Sequence, residues 1–247
     1  MKKKNNVLVV LLFLFMLNPI FFYSQSTYDI PAYYNWFDTV VGSNTSGLYN
    51  GVLYEEEYIV KNDRYRFFIS NDFMKGTIKY DEQSYFDLSL KYDVYGDEVL
   101  VKLQDGFGEV VLQLIKNKID NFTINNHQFY RIHTKKIEEV ADIGFYEVLV
   151  KNTSFILYKK HKKNKKQRLE NKKMSYEFFD KHIYILFYND LYYRIKSQKD
   201  ITNIFPDYKE TINLYYKKDS RSIQKSDLDT FLTTLLKRID TLIMEKK

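Results

Sequence analysis

The run Tyr85-Phe86-Asp87-Leu88-Ser89-Leu90-Lys91-Tyr92-Asp93-Val94-Tyr95-Gly96-Asp97-Glu98-Val99-Leu100-Val101-Lys102-Leu103 decides the fold class. Phe86, Leu88, Leu90 and Tyr92 share one parity, while Tyr85, Asp87, Ser89 and Lys91 share the other. Period two with one apolar face is the pattern of a half-buried antiparallel strand. Val99, Val101 and Leu103 repeat the apolar parity beyond Gly96-Asp97, so a hairpin turning there is expected.

Working outward, the same unit recurs. Phe122–Ile124 and Gln128–Ile132 flank Asn125-Asn126; Glu147–Val150 and Phe155–Tyr158 flank Lys151-Asn152; Ile183–Tyr188 and Leu191–Ile195 flank Asn189-Asp190. Tyr54–Val60 and Tyr65–Ile69 around Lys61–Arg64 read as one more pair. Ten to twelve strands joined by tight turns, without helical crossovers, argue against a parallel α/β sheet. The expected class is mainly β (α+β): an antiparallel meander forming a curved sheet, half-barrel or sandwich, with a C-terminal helical cap.

After Ile195 the period becomes helical. Ser197 and Asp200 have capping-box spacing ahead of Ile201, Ile204 and Phe205, and Pro206 breaks or restarts the helix. Ser226 is the natural N-cap of a last helix. Leu228, Phe231, Leu232, Leu235, Leu236, Ile239, Leu242 and Ile243 form its single apolar stripe. Core packing against the sheet is the simplest use of that stripe, and a dimer interface is the alternative.

Residues 1–24 read as a secretory signal peptide. Lys2, Lys3 and Lys4 precede an 11-residue apolar run from Val7 to Leu17, and Ser24 offers a small residue for cleavage before Gln25. Ile20, Phe21 and Phe22 lengthen the run enough to keep an uncleaved anchor open. The chain then divides into 1–24, a cover segment and loop over 25–48, an antiparallel β domain over 49–196 and helices over 197–247 packed on the sheet. Export places the mature protein in a periplasm, on an outer-membrane surface or outside the cell.

The 247 residues are 45% hydrophobic and 28% charged, which excludes a disordered tail or collagen. The absence of Cys removes disulfides, thiolate metal sites and thiol nucleophiles together. Without the three leader lysines the chain carries 35 basic and 32 acidic residues, and ten of those basic ones lie between Lys151 and Lys173. Within that stretch, Lys159, Lys160, Lys162, Lys163, Lys165, Lys166 and Arg168 are candidates to contact an anionic surface. An exposed loop or hairpin arm is expected there, because unpaired buried ammonium groups are costly and Glu170 is the only internal acid. A plain solvated loop is the competing reading. Nucleic acid is set aside because the chain is exported.

Catalytic and metal signatures are sparse. His127 and His133 share strand parity but lie roughly 20 Å apart along a strand, and His161 and His182 have no ligand spacing. Glu55-Glu56-Glu57 offers carboxylates, yet neighbours on a strand face opposite sides, which favours a solvated rim. Tyrosine-rich faces suit strands before they suit ligands. No cofactor is expected.

The segment Gly76–Leu103 resembles uncharacterised exported proteins of Bacteroidetes-type bacteria. Gly144–Leu149, Leu157–His161 and Tyr193–Lys196 to Phe205-Pro206-Asp207 add to the resemblance. It implies a compartment, with no activity, ligand or catalytic residue. The resulting expectation is a non-enzymatic envelope accessory protein that binds another envelope component, a protein partner or an anionic surface. The alternatives are a carrier of a lipid-like ligand in an apolar cavity of the curved sheet, and a polysaccharide hydrolase with two carboxylates converging in a cleft.

Overall fold

A computed structural model describes residues 47–105, 108–217, 223–224 and 226–246. The expected signal peptide and nearly all of the cover segment lie outside them. Thirteen strands form among the described residues: β1 Val52–Leu53, β2 Met74–Tyr80, β3 Gln83–Asp93, β4 Glu98–Asp105, β5 Gly108–Gln113, β6 Ile119–Ile124, β7 His127–Ile132, β8 Gly144–Lys151, β9 Phe155–Lys160, β10 Lys163–Glu170, β11 Lys173–Asp180, β12 Ile183–Tyr188 and β13 Leu191–Ile195. Eleven make one antiparallel sheet in the order β1-β5-β4-β3-β2-β6-β7-β8-β9-β12-β13, and β10 with β11 make a separate two-stranded ribbon.

Asparagine and aspartate set the turns. Asp81-Glu82, Asn125-Asn126, Asn171-Lys172 and Asn189-Asp190 each have positive φ at both positions and join strands through two-residue loops. That is the type I′ geometry whose twist matches the flanking strands, and Asn or Asp tolerates it best after glycine. The β3–β4 turn is longer than expected. Val94 to Asp97 bridges the pair Asp93–Glu98, and Asp93 Oδ1 accepts from the Tyr95 and Gly96 N–H groups at 3.0 and 3.1 Å.

One strand departs from its parity. Gly76 faces Leu88 and Ile78 faces Tyr85, so Phe86 and Asp87 together oppose Thr77 as a bulge, with Asp87 at φ 54°. The extra residue switches sides, and Tyr85 joins Leu90 and Tyr92 in the core.

Tyr54–Val60 and Tyr65–Ile69 are not a strand pair. They supply cover. Tyr176 and Phe178 N–H groups donate to the Ile59 and Arg64 carbonyls at 2.9 and 3.0 Å, so this segment runs along the free side of β11. Only Phe67 makes a bridge, to Asp93.

The sheet curls strongly without closing. Tyr92 on β3 packs against Phe122, Phe129 and Phe145 on β6, β7 and β8, with ring centroids 5.2–6.0 Å apart. Besides three short 3-10 helices, four α-helices are described: α1 Lys135–Glu138, α2 Gln198–Ile204, α3 Lys209–Lys217 and α4 Leu228–Glu245. Asp200 Oδ2 accepts from the Ser197 N–H and hydroxyl, so the expected capping contact opens α2, and Pro206 begins a 3-10 turn. Asp227, not Ser226, caps α4: its Oδ1 accepts from the Thr230 N–H at 2.9 Å, while the Ser226 hydroxyl turns back to the Ile223 carbonyl. Phe231, Leu232, Leu235, Leu236 and Ile239 are buried against Leu157, Leu186 and Tyr184. At about 1.5–3 kcal/mol per fully buried side chain, the stripe is used within the chain. Two large cores result among the described residues, one inside the curl and one beneath the helices, with a smaller third cluster of Ile132, Ile137, Tyr146 and Ile185.

Candidate functional site

The basic run is divided by a bend. β9 continues into β10 and β11 returns into β12 as one long hairpin, broken at His161-Lys162 and Lys181-His182, where the Lys181 N–H donates to the Lys162 carbonyl at 2.8 Å. Residues before the bend belong to the sheet, and those after it form an arm.

Lys159 and Lys160 are therefore buried, contrary to the exposed placement expected for the whole run. Acids from distant elements compensate them. Lys159 Nζ donates to Asp229 Oδ2 at 2.5 Å, and the Tyr184 hydroxyl donates to Oδ1 at 2.6 Å, tying α4 to β9 and β12. Lys160 Nζ lies 2.7 Å from Asp97 Oδ2, which also takes Lys116 at 2.5 Å; Asp97 Oδ1 accepts from the Tyr92 hydroxyl at 2.6 Å. Burial would raise the Asp97 carboxyl, but Lys160 and Lys116 outweigh it and hold it below the usual range. Burial lowers Lys160. A side chain at Gly144, with φ 137°, would put its Cβ 1.8 Å from Asp97 Oδ2, so this network requires glycine there.

The remaining candidates diverge. Lys162 is half-buried and paired with Asp142. Lys163, also half-buried, donates to the Tyr65 carbonyl at 2.7 Å and lies 3.7 Å from Asp180. Arg168 is exposed and donates to Glu177 Oε2 at 2.9 Å. Lys165 is exposed over the rings of Tyr58, Tyr95 and Tyr176, 4.6–5.3 Å from their centroids. Lys166 is exposed beside it. Lys172 and Lys173 add exposed charge at the tip. The arm thus presents cations that the fold does not consume.

The sequence reading missed one constellation. Glu147 on β8 bridges His127 Nδ1 at 2.5 Å and His161 Nε2 at 2.6 Å, and the ring of His182 lies 4.8 Å from that of His161. Burial would raise Glu147, but the hydrogen bonds from His161 and His127 hold it low. Burial pushes His161 down, and His182 down to about 4. An ionised Glu147 accepting from the rings of His161 and His127 fits its lowered carboxyl. Phe68 packs edge-on against His127, His161 and Phe129. No parity or spacing rule pairs positions 127, 147 and 161, because three different strands bring them together. Among the described residues no group of three or more His, Asp or Glu side chains is arranged to hold a metal ion.

A cleft of about 500 Å³ lies beside the arm, lined by Tyr54, Tyr58, Tyr95, Glu55, Glu57 and Glu98 among others. Asp93 and Glu98 converge there as cross-strand partners, and burial raises both carboxyls. Asp93 already caps the β3–β4 turn and pairs with buried Arg66 at 3.2 Å. Glu56 also contacts Arg66, so the acidic triplet is split between cleft wall and ion pair.

No helix among the described residues is long and apolar enough to cross a membrane. Comparison with protein-family models, curated proteins and solved structures found no match to the chain.

Proposed function

We propose that the protein is an exported, non-enzymatic accessory protein of the cell envelope that binds another, negatively charged envelope component through the β10–β11 arm. The observation that carries this reading is the arm itself: a ribbon outside the main sheet whose Lys165, Lys166, Lys172 and Lys173 are exposed. Fold stability explains Lys159 and Lys160 but does not require these four. The leader-like N-terminus and the resemblance to exported proteins support the compartment.

The carrier alternative has less support, because Phe122, Phe129, Phe145 and Tyr92 fill the inside of the curl as fully buried rings. The hydrolase alternative has a carboxylate pair, but Asp93 is engaged by the turn and by Arg66.

The test is retention of the purified protein by envelope fractions and by anionic vesicles across a salt series. Binding should weaken steeply with salt, since exposed charges are screened over about 8–10 Å at moderate ionic strength. Lys165→Gln/Lys166→Gln/Lys172→Gln/Lys173→Gln should lose retention while its melting temperature stays within about 2 °C of the parent's. Equal retention of parent and variant would overturn the reading.

A further inference from the structure

Among the described residues, the outer edge of β10 is a strand edge with no neighbour. Among the described residues, β10 pairs only with β11, and none of its backbone groups bonds to any other segment. All eight of its residues except the half-buried Lys163 are exposed. Eight residues of strand offer roughly 26 Å of unpaired N–H and C=O groups. The opposite edge of the same ribbon already holds main chain, though of a bent segment: Ile59 and Arg64 take hydrogen bonds from Tyr176 and Phe178, supported by Lys61–Glu170 and Asn62–Glu177 contacts.

We infer that the open edge of β10 takes up an acidic, extended segment of a partner protein by main-chain pairing. This rests on the reading of the arm as the contact surface and names the partner's chemistry. Charge selects the occupant. Glu170 is engaged by Lys61 and Arg168 by Glu177, leaving Lys165 on one face and Lys166 on the other without an acid. A strand with carboxylates on both faces complements that edge, because opposite charges across a strand pair stabilise it and like charges destabilise it. A second copy of this chain is the wrong occupant, since antiparallel self-pairing in full register sets Lys165 against Arg168 and parallel self-pairing sets lysine against lysine. Edge lysines also deter neutral strands, which gives the site selectivity. At the tip, Leu169 and Met174 are cross-strand partners, 70% and 40% exposed, and offer an apolar contact at one end of the added strand.

The experiment uses the full chain and three probes: an eight-residue peptide repeating Glu-Glu-Val-Val with blocked termini, which carries carboxylates on both faces, its fully N-methylated counterpart, and anionic phospholipid vesicles. N-methylation keeps every charge and side chain but removes the amide donors. The unmodified peptide should bind, weaken with salt, and slow hydrogen exchange across β10; the N-methylated one should bind at least tenfold more weakly. Equal binding of the two peptides would overturn main-chain pairing. Protection of the outer β10 amides before any peptide is added would overturn the free edge. Vesicle binding without peptide binding would sink this inference and leave the arm's role standing, whereas failure to bind vesicles, peptide and envelope fractions alike would remove both.

Discussion

Lys160 and Lys166 lie six positions apart in one basic run, and the fold uses only the first. Lys160 is 3% exposed beside Asp97. Lys160→Gln should cost about 3 kcal/mol, because a buried carboxylate loses a partner, whereas Lys166→Gln should change stability by less than about 0.5 kcal/mol. Urea midpoints of the two variants check this, and similar values would refute the division of the run. Composition cannot show that division, since it depends on acids at positions 97 and 229. The histidines behave likewise. Burial holds His161 and His182 below their ordinary value, so the folded protein keeps them neutral where the unfolded chain takes up protons. Stability should be full above about pH 6.5 and fall steadily towards pH 4, where His182 titrates. The lowered carboxyl of Glu147 adds a further loss at the acid end. Chemical denaturation between pH 8 and pH 4 reads this directly; a flat profile would contradict the buried cluster. Glu147→Gln should cost about 1–3 kcal/mol at pH 7, as expected when a buried hydrogen-bond network is broken.

Strands and turns were legible wherever a local rule suffices. The parity of Leu88, Leu90 and Tyr92 located β3, and Asn125-Asn126 and Asn189-Asp190 located two I′ turns. Tyr85 was misplaced because a bulge inserts one residue and reverses the alternation. Tyr54–Ile69 misled because its aromatic content suits a strand, while its backbone serves to cover β11. The arm was legible only as an exposed loop or hairpin arm, since Lys163 to Glu170 lacks an apolar parity; its strand pairing comes from β11 and the Asn171-Lys172 turn. That turn yields an element-scale test. Lys172 sits at φ 63°, a conformation that costs an L residue about 1–2 kcal/mol and glycine nothing. Lys172→Gly should slow hydrogen exchange along β10 and β11 and leave the main sheet unchanged. Faster exchange in the arm would show that the turn is not the device that holds it.

At the scale of the molecule, a curled sheet with its helical cap holds the main cores, and the arm projects from it, seated on the body through buried Phe178 against Tyr58 and Tyr95. The two large cores occupy the inside of the curl and the space beneath α4, and the Glu147 cluster with the Lys159–Asp229–Tyr184 contact lies between them. Lys162 and Lys181, where the arm leaves, are already bonded across the hairpin, so the chain can be closed there without disturbing β9 or β12. The most direct measurement is therefore to replace residues 163–180 with an Asn-Gly turn and compare retention by envelope fractions with that of the full chain. The variant should still unfold cooperatively, at a melting temperature lowered by the loss of buried Phe178, and no longer bind. A folded variant that binds as the full chain does would contradict it.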